Sequence, residues 1–171
     1  MAAGVTLYSN HLGEQLSYDG VSPVTWRVAS YVLAIRDGKV LVIESPVVSR
    51  WELPGGVVET HERVLDAAIR ECWEETGYRF FPADENPICI AEWNFLPPGK
   101  KEYRQSLMLA FQGTVEDAPD PAWKLDPTEV RQVCWMAPST LTGERNHLLL
   151  RRALRATGLV VAPADSAEAA K

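Results

Sequence analysis

The chain has 171 residues, 46% of them hydrophobic, which is enough to bury one substantial core but not comfortably two. Its formal net charge of -6, with no run of Lys or Arg, argues against nonspecific attachment to nucleic acid or to an anionic membrane surface. A polyanionic ligand would need metal cations to approach such a surface.

No apolar run reaches the length of about 18 residues that a membrane span requires. The N-terminal stretch MAAGVTLYSNHLGE lacks the charged start and apolar centre of a secretory signal, so a cytoplasmic location is expected. Cys72, Cys89 and Cys134 are far apart, with neither zinc spacing nor a disulfide framework, and are expected to be reduced thiols.

The segment before the first hairpin is polar and ends in SPVTW, which predicts a frayed arm or a peripheral hairpin over residues 1–24. From Val28 to Glu44 two β-branched runs flank Asp37 and Gly38, a strand, turn and strand. The following SPVVSRWELPGGVVE is punctuated by Pro46, Pro54, Gly55 and Gly56, and its glycines suit close approach of backbone to a ligand. A helix is predicted over His61 to Thr76, with Thr60 as N-cap, Glu62 at the positive end of the dipole and Gly77 as the left-handed stop. Ile88 to Phe95 and Arg104 to Thr114 read as strands, with PPGKK between them. VEDAPDPAWKLDPTE should be a long loop, a kind that often carries function. Val130 to Met136 is the last predicted strand, and NHLLLRRALRATG is an amphipathic helix that Gly158 ends. Residues 161–171 are expected to be a disordered tail. Strands interleaved with two helices predict an α/β fold, an α/β/α sandwich with a mixed sheet, spanning 25–160.

The stretch RECWEETGY crowds Glu71, Glu74 and Glu75 into one helix. On a helical wheel with Val64 at zero, Val64, Leu65, Ala68, Ile69 and Cys72 cover an arc of about 140°, which marks the buried face. Glu75 falls at about +20°, Glu71 at about -20° and Glu74 at about -80°, so two of the three lie at or inside the buried edge. Like charges at i and i+4 cost a helix about 0.2 to 0.5 kcal/mol, and desolvation adds to that. Arg70 is a nearby cation, but the wheel points it away from Glu75 and towards Asp66. A hard divalent cation such as Mg²⁺ or Mn²⁺ answers this geometry better, against the alternative of a solvated acidic edge.

Reading from Gly56, five residues lead to Glu62, and seven more to Arg70-Glu71-Cys72-Trp73-Glu74-Glu75-Thr76-Gly77-Tyr78. This resembles the Nudix hydrolase signature GX5EX7REUXEEXGU at every fixed position, with Cys72 where an aliphatic residue is usual. The preceding RWELPGG also resembles that family. The resemblance implies a Nudix-like sandwich with a central catalytic helix. It implies Mg²⁺ (Mn²⁺ substituting) held by Glu71, Glu74, Glu75 and the Gly56 carbonyl, with Glu62 and Arg70 supporting these ligands. It implies hydrolysis of a phosphoanhydride in a nucleoside diphosphate derivative, a sugar nucleotide such as ADP-ribose, or release of pyrophosphate from a (d)NTP.

Members of the family draw the catalytic base either from the box or from a loop before a late strand. Glu74 and Glu75 are therefore candidates, as is Glu129, six residues before Trp135. Arg27, Arg50 and Arg104, with Lys101, are candidate phosphate contacts. Trp26, Trp51, Trp93, Phe95 and Tyr103 could stack on a base, although aromatics in strands are more often core. His11, His61 and His147 show no partner pattern for nucleophile or zinc chemistry. The expected partner is a small nucleotide, not nucleic acid or membrane, with a homodimer as an option that the resemblance brings. The competing reading is a Nudix-like module that senses a nucleotide without cleaving it; three metal-ligand glutamates at this spacing argue for the enzyme.

Overall fold

The computed structural model describes residues 6–10, 14–46, 50–143 and 146–160. The predicted tail, His11 and part of the N-terminal arm lie outside them. In chain order the strands are β1 (Leu7–Ser9), β2 (Gln15–Ser17), β3 (Val24–Arg36), β4 (Lys39–Glu44), β5 (Trp51–Glu52) and β6 (Gly55–Val57). Helix α1 (Val64–Thr76) follows, then β7 (Phe80–Pro82), β8 (Cys89–Phe95), β9 (Tyr103–Val115), β10 (Gln132–Met136), a 3₁₀ turn (Pro138–Leu141) and α2 (Leu148–Ala156).

The sheet runs β10-β4-β3-β9-β8-β1-β2 and is mixed, because β3 and β9 pair in parallel from Val24↔Tyr103 to Ala34↔Gly113 while β4, β8 and β10 join antiparallel. The β3–β4 turn has positive φ at both Asp37 (50°) and Gly38 (71°), the backbone twist a tight hairpin requires. The two strands pair only beside that turn, at Ile35↔Val40 and Arg36↔Lys39, and then splay apart. The β5–β6 segment fills the wedge: β5 pairs with β4, β6 with β3, and the Val32 N–H donates to the Pro54 carbonyl at 2.9 Å.

Alternation along β3 makes two cores. Val32 and Ala34 face α1, meeting Leu41, Ala68, Cys72, Phe80 and Phe111. Leu33 and Tyr31 face α2 with Val40, Val42, Met108, Leu149, Leu150 and Leu154. Both faces of the sheet are thereby covered, as the sandwich predicts. The helix arc of Val64, Leu65, Ala68, Ile69 and Cys72 is the one packed on the sheet. Burial pushes the Cys72 thiol up to about 12, so it is an apolar filler. The β1–β2 hairpin adds to the sheet edge by a parallel pairing of Ser9 with Phe95, and Tyr8, 2% exposed, packs on Tyr103 with ring centroids 4.5 Å apart.

Several boundaries differ from the prediction: β3 begins at Val24 rather than Val28, β10 at Gln132 rather than Val130, and the start of α1 moves with a consequence for the site. Helix α1 begins at Val64, not His61, because His61 sits at φ 71°, a left-handed conformation no helix continues through. Thr60 therefore caps nothing; Arg63 holds the N-cap position without a side-chain bond. Glu62 folds back instead, its carboxylate accepting the Glu59 N–H at 3.1 Å.

Candidate active site

The wedge between β3 and β4 delivers two glycines to the flank of α1. Gly55, at φ 150°, passes so close to β3 that a Cβ there would lie 2.3 Å from the Ser30 carbonyl oxygen. Its N–H donates to Glu75 Oε2 at 2.8 Å. Gly56 presses on the next turn of the helix: a Cβ at this position would fall 2.5 Å from Glu71 Oε1. The backbone of β6 thus lies directly against two of the three box carboxylates.

Arg70 ties the supporting residues to the cluster. It grips Glu62 with two parallel bonds, Nε to Oε1 at 2.8 Å and Nη2 to Oε2 at 2.9 Å, and reaches Glu71 at 2.8 Å and Glu74 at 2.9 Å through Nη1. This corrects the wheel, which aimed Arg70 at Asp66: its long side chain turns along the helix to meet three carboxylates, and Glu75 is not among them. The hydrogen bonds from Arg70 hold the Glu62 carboxyl below its usual range.

The other acids are under electrostatic stress. Burial, with the charges of Glu71, Glu52 and Glu129, holds the Glu75 carboxyl well above the ordinary carboxylate range, against the opposing Gly55 N–H. Burial also raises Glu71; Arg70 opposes this, and the charges of Glu74 and Glu129 add to it. Glu74 is the most open of the three, its side chain 43% exposed against 16% for Glu71. Glu129, on the exposed loop between β9 and β10, is close enough for its charge to act on both Glu71 and Glu75.

Two residues here escape the sequence reading. Burial pushes the Glu52 carboxyl up to about 7, with Arg50 pulling the other way. The Tyr31 phenol is raised by burial and by its neighbours Glu52, Glu75 and Glu71, while Arg27 acts to lower it. A charged residue between Trp51 and Leu53 was the available signal for Glu52; nothing in VASYVLAIR marks Tyr31.

The candidate phosphate contacts separate. Arg27 and Arg104 sit together in a groove of about 600 Å³ that Thr25, Trp26, Val57 and Glu102 also line. Burial, then the charge of Arg104, depresses the Arg27 guanidinium, and its Nε donates to the Ser106 hydroxyl at 2.9 Å. The groove borders the carboxylates, since Arg70 Nη2 donates to the Val57 carbonyl at 3.2 Å. Arg50 lies elsewhere, beside Glu52 and His147. Lys101 lines a different recess with Asp19, Lys100 and Tyr103. Of the aromatic candidates Trp26 is 56% exposed, whereas Phe95 and Tyr103 are buried and Trp51 and Trp93 pack against a core.

The donor set suits a hard cation. It consists of carboxylate oxygens and a strand backbone bared by Gly56, in a cradle that a single methyl group would fill. Among the described residues no three His, Cys, Asp or Glu side chains already converge on one point; Arg70 engages Glu71 and Glu74, and the Gly55 N–H engages Glu75.

Comparison with known proteins follows the same lines. A family model described as the NUDIX domain matches residues 25–156. A MutT-like protein of Streptomyces ambofaciens is 40% identical over 62 residues, 36% of this chain and 40% of its own length. Phosphatase NudJ of Escherichia coli is 44% identical over 73 residues, 42% of this chain and 45% of its own length. The chain spans less than half of either relative. A NUDIX hydrolase structure from Nitrosomonas europaea superposes with a TM-score of 0.65 at 24% identity, covering 78% of this chain and 89% of that one, a likeness of fold.

Proposed function

This chain belongs to the Nudix hydrolase family, and from that premise we propose that it is a divalent-metal-dependent hydrolase of a nucleoside diphosphate derivative, a sugar nucleotide or a (d)NTP, attacked by water at phosphorus. The observation that carries the reading is the Gly56 backbone set against the Glu71 carboxylate, with Glu75 bonded to the neighbouring Gly55 N–H. Acids raised by burial, with the charges of their neighbours adding to it, are poor structural elements and good cation ligands.

Glu71, Glu74, Glu75 and the Gly56 carbonyl would hold Mg²⁺ or Mn²⁺. When bound, such an ion neutralises the diphosphate and lowers the pKa of a water ligand. Glu62 acts through Arg70, which fixes the side chains of Glu71 and Glu74 before a ligand arrives. Glu129 takes the proton from the attacking water, a step worth about 10² to 10⁴ in rate. Glu75, whose one oxygen is committed to Gly55, suits the ligand role better than the base role. Arg27 and Arg104 orient phosphate in the groove, and the exposed Trp26 ring offers a base a stacking surface.

The deciding experiment is a phosphate and nucleotide release assay over NTPs, dNTPs, ADP-ribose, other sugar nucleotides, dinucleoside polyphosphates and coenzyme A, with Mg²⁺, Mn²⁺ and EDTA arms and Glu74→Gln as control. Metal-dependent turnover of one group, lost in the variant, supports the proposal. Binding of a nucleotide without turnover of any would replace it with the sensing reading.

A further inference from the structure

Residues 116–131 form a long loop without helix or strand, and Glu129 stands near its end. A flexible acid on an exposed loop would leave an acidic cluster, because its charge acts against both Glu71 and Glu75. The structure contains a device that opposes this. The indole Nε1–H of Trp123 donates to the Glu74 carbonyl oxygen at 2.9 Å, and the Asp120 N–H donates to the Gly77 carbonyl at 2.8 Å. The Trp123 ring also covers Gly77 so closely that a Cβ there would lie 2.8 Å from it. These contacts fall on the final turn of α1, where backbone carbonyls lack intrahelical donors.

From that anchor the chain is guided to Glu129. Asp126 closes a local turn, its carboxylate accepting the Thr128 N–H at 2.8 Å and its carbonyl accepting the N–H groups of Glu129 at 3.1 Å and Val130 at 2.9 Å. Val130, 1% exposed, is sunk in the core. Glu129 is thus held between Trp123 on the helix and Val130 in the interior.

We propose that Trp123 is a positioning residue: it latches the loop to the helix that bears Glu71, Glu74 and Glu75, and so fixes where the Glu129 carboxylate stands relative to them. This inference rests on the reading of Glu129 as the base. The latch bonds the main chain of Glu74 and packs on Gly77, and it does not line the groove, so its effect on Glu129 runs through the tether.

The test uses the full chain as wild type, Trp123→Phe, Trp123→Ala, Glu129→Gln and the double variant Trp123→Ala with Glu129→Gln. The substrate is the one the panel identifies, at saturating Mg²⁺. Trp123→Ala should lower kcat by about tenfold or more, with KM within about twofold and the Mg²⁺-induced rise in Tm retained. Trp123→Phe, which keeps the ring and loses the N–H, should fall between. In the Glu129→Gln background Trp123→Ala should change kcat by less than about twofold, because the group it positions is gone. Hydrogen exchange over residues 116–131 should quicken in Trp123→Ala and not in Glu129→Gln. A slow Glu129→Gln beside a normal Trp123→Ala overturns the latch and leaves the base. Equal losses from Trp123→Ala in both backgrounds also overturn it. A normal Glu129→Gln removes the base reading itself, and the latch with it. If Trp123→Ala does not fold, Trp123→Phe decides: a lowered kcat with quickened exchange over 116–131 supports the latch, and a normal kcat with unchanged exchange overturns it.

Discussion

At Gly56 one missing methyl group determines whether Glu71 can stand where it does. The position has no positive φ, so alanine is compatible with the backbone; the nearest obstacle is the Glu71 carboxylate, 2.5 Å from the would-be Cβ. Gly56→Ala should therefore fold with a Tm close to wild type and lose about a hundredfold in kcat, since a displacement of about 1 Å at a reacting site costs that much. A normal rate in this variant would separate Glu71 from the chemistry. Among single residues, legibility followed locality. Glu71, Glu74 and Glu75 are one helix turn apart, and a wheel suffices to group them. Glu52 and Tyr31 sit in strands whose partners are decided by the wedge between β3 and β4, so their approach to Glu75 is invisible in any short window. Arg70 was misdirected for a related reason: the wheel gives the direction of Cβ, and a guanidinium can travel some distance from it.

The elements were mostly readable, and the exception is instructive. Asp37-Gly38 and Gly77 act through their own backbone conformations, and both turn up as expected, at φ 50° and 71° for the hairpin and 72° for the helix stop. The start of α1 was misplaced because Thr60 is a plausible local cap, whereas the real path is set by the distant grip of Arg70 on Glu62. Gly77 also serves a second element, as its bare Cα receives the Trp123 ring. Gly77→Ala should cost about 1 to 3 kcal/mol for the left-handed conformation alone. It should further loosen the loop, so that urea unfolding shows the lost stability and protease cutting within 116–131 accelerates. A change in stability without faster cutting would show that the loop is held from elsewhere.

For the molecule as a whole, the predicted sandwich is present, yet the order of strands was beyond the sequence. Nothing local announces that β3 pairs in parallel with β9 or that β4 is flanked by β10. Global stability carries a pH signature from His147, which is 2% exposed and, among the described residues, has no hydrogen-bond partner on either ring nitrogen. Burial, with the charges of Arg50 and Arg151, lowers it from 6.5 to about 4. A depressed folded value means the unfolded chain binds the proton more readily. Its contribution is thus full above 6.5 and lost as pH falls towards 4, to the extent of about 3 kcal/mol. The raised carboxyl of Glu52 works in the opposite sense, and a comparison of variants cancels it. The stability difference between wild type and His147→Leu, from urea unfolding at several pH values, should shift against wild type between pH 6.5 and 4, and a flat difference would refute the assignment.

The parallel pairing of β3 with β9 has one more consequence, and it concerns time. Its partners, such as Val24 and Tyr103, are separated by the whole of the Gly56–Tyr78 stretch, so the strand register cannot form until that intervening stretch has been gathered in. Contacts this remote are slow to close, whereas the β3–β4 hairpin and α1 need only their own neighbourhoods. During refolding the glutamate helix can exist well before the sheet that backs it. The helical order of the acidic residues is a local matter, and a finished site needs its most distant strands to meet.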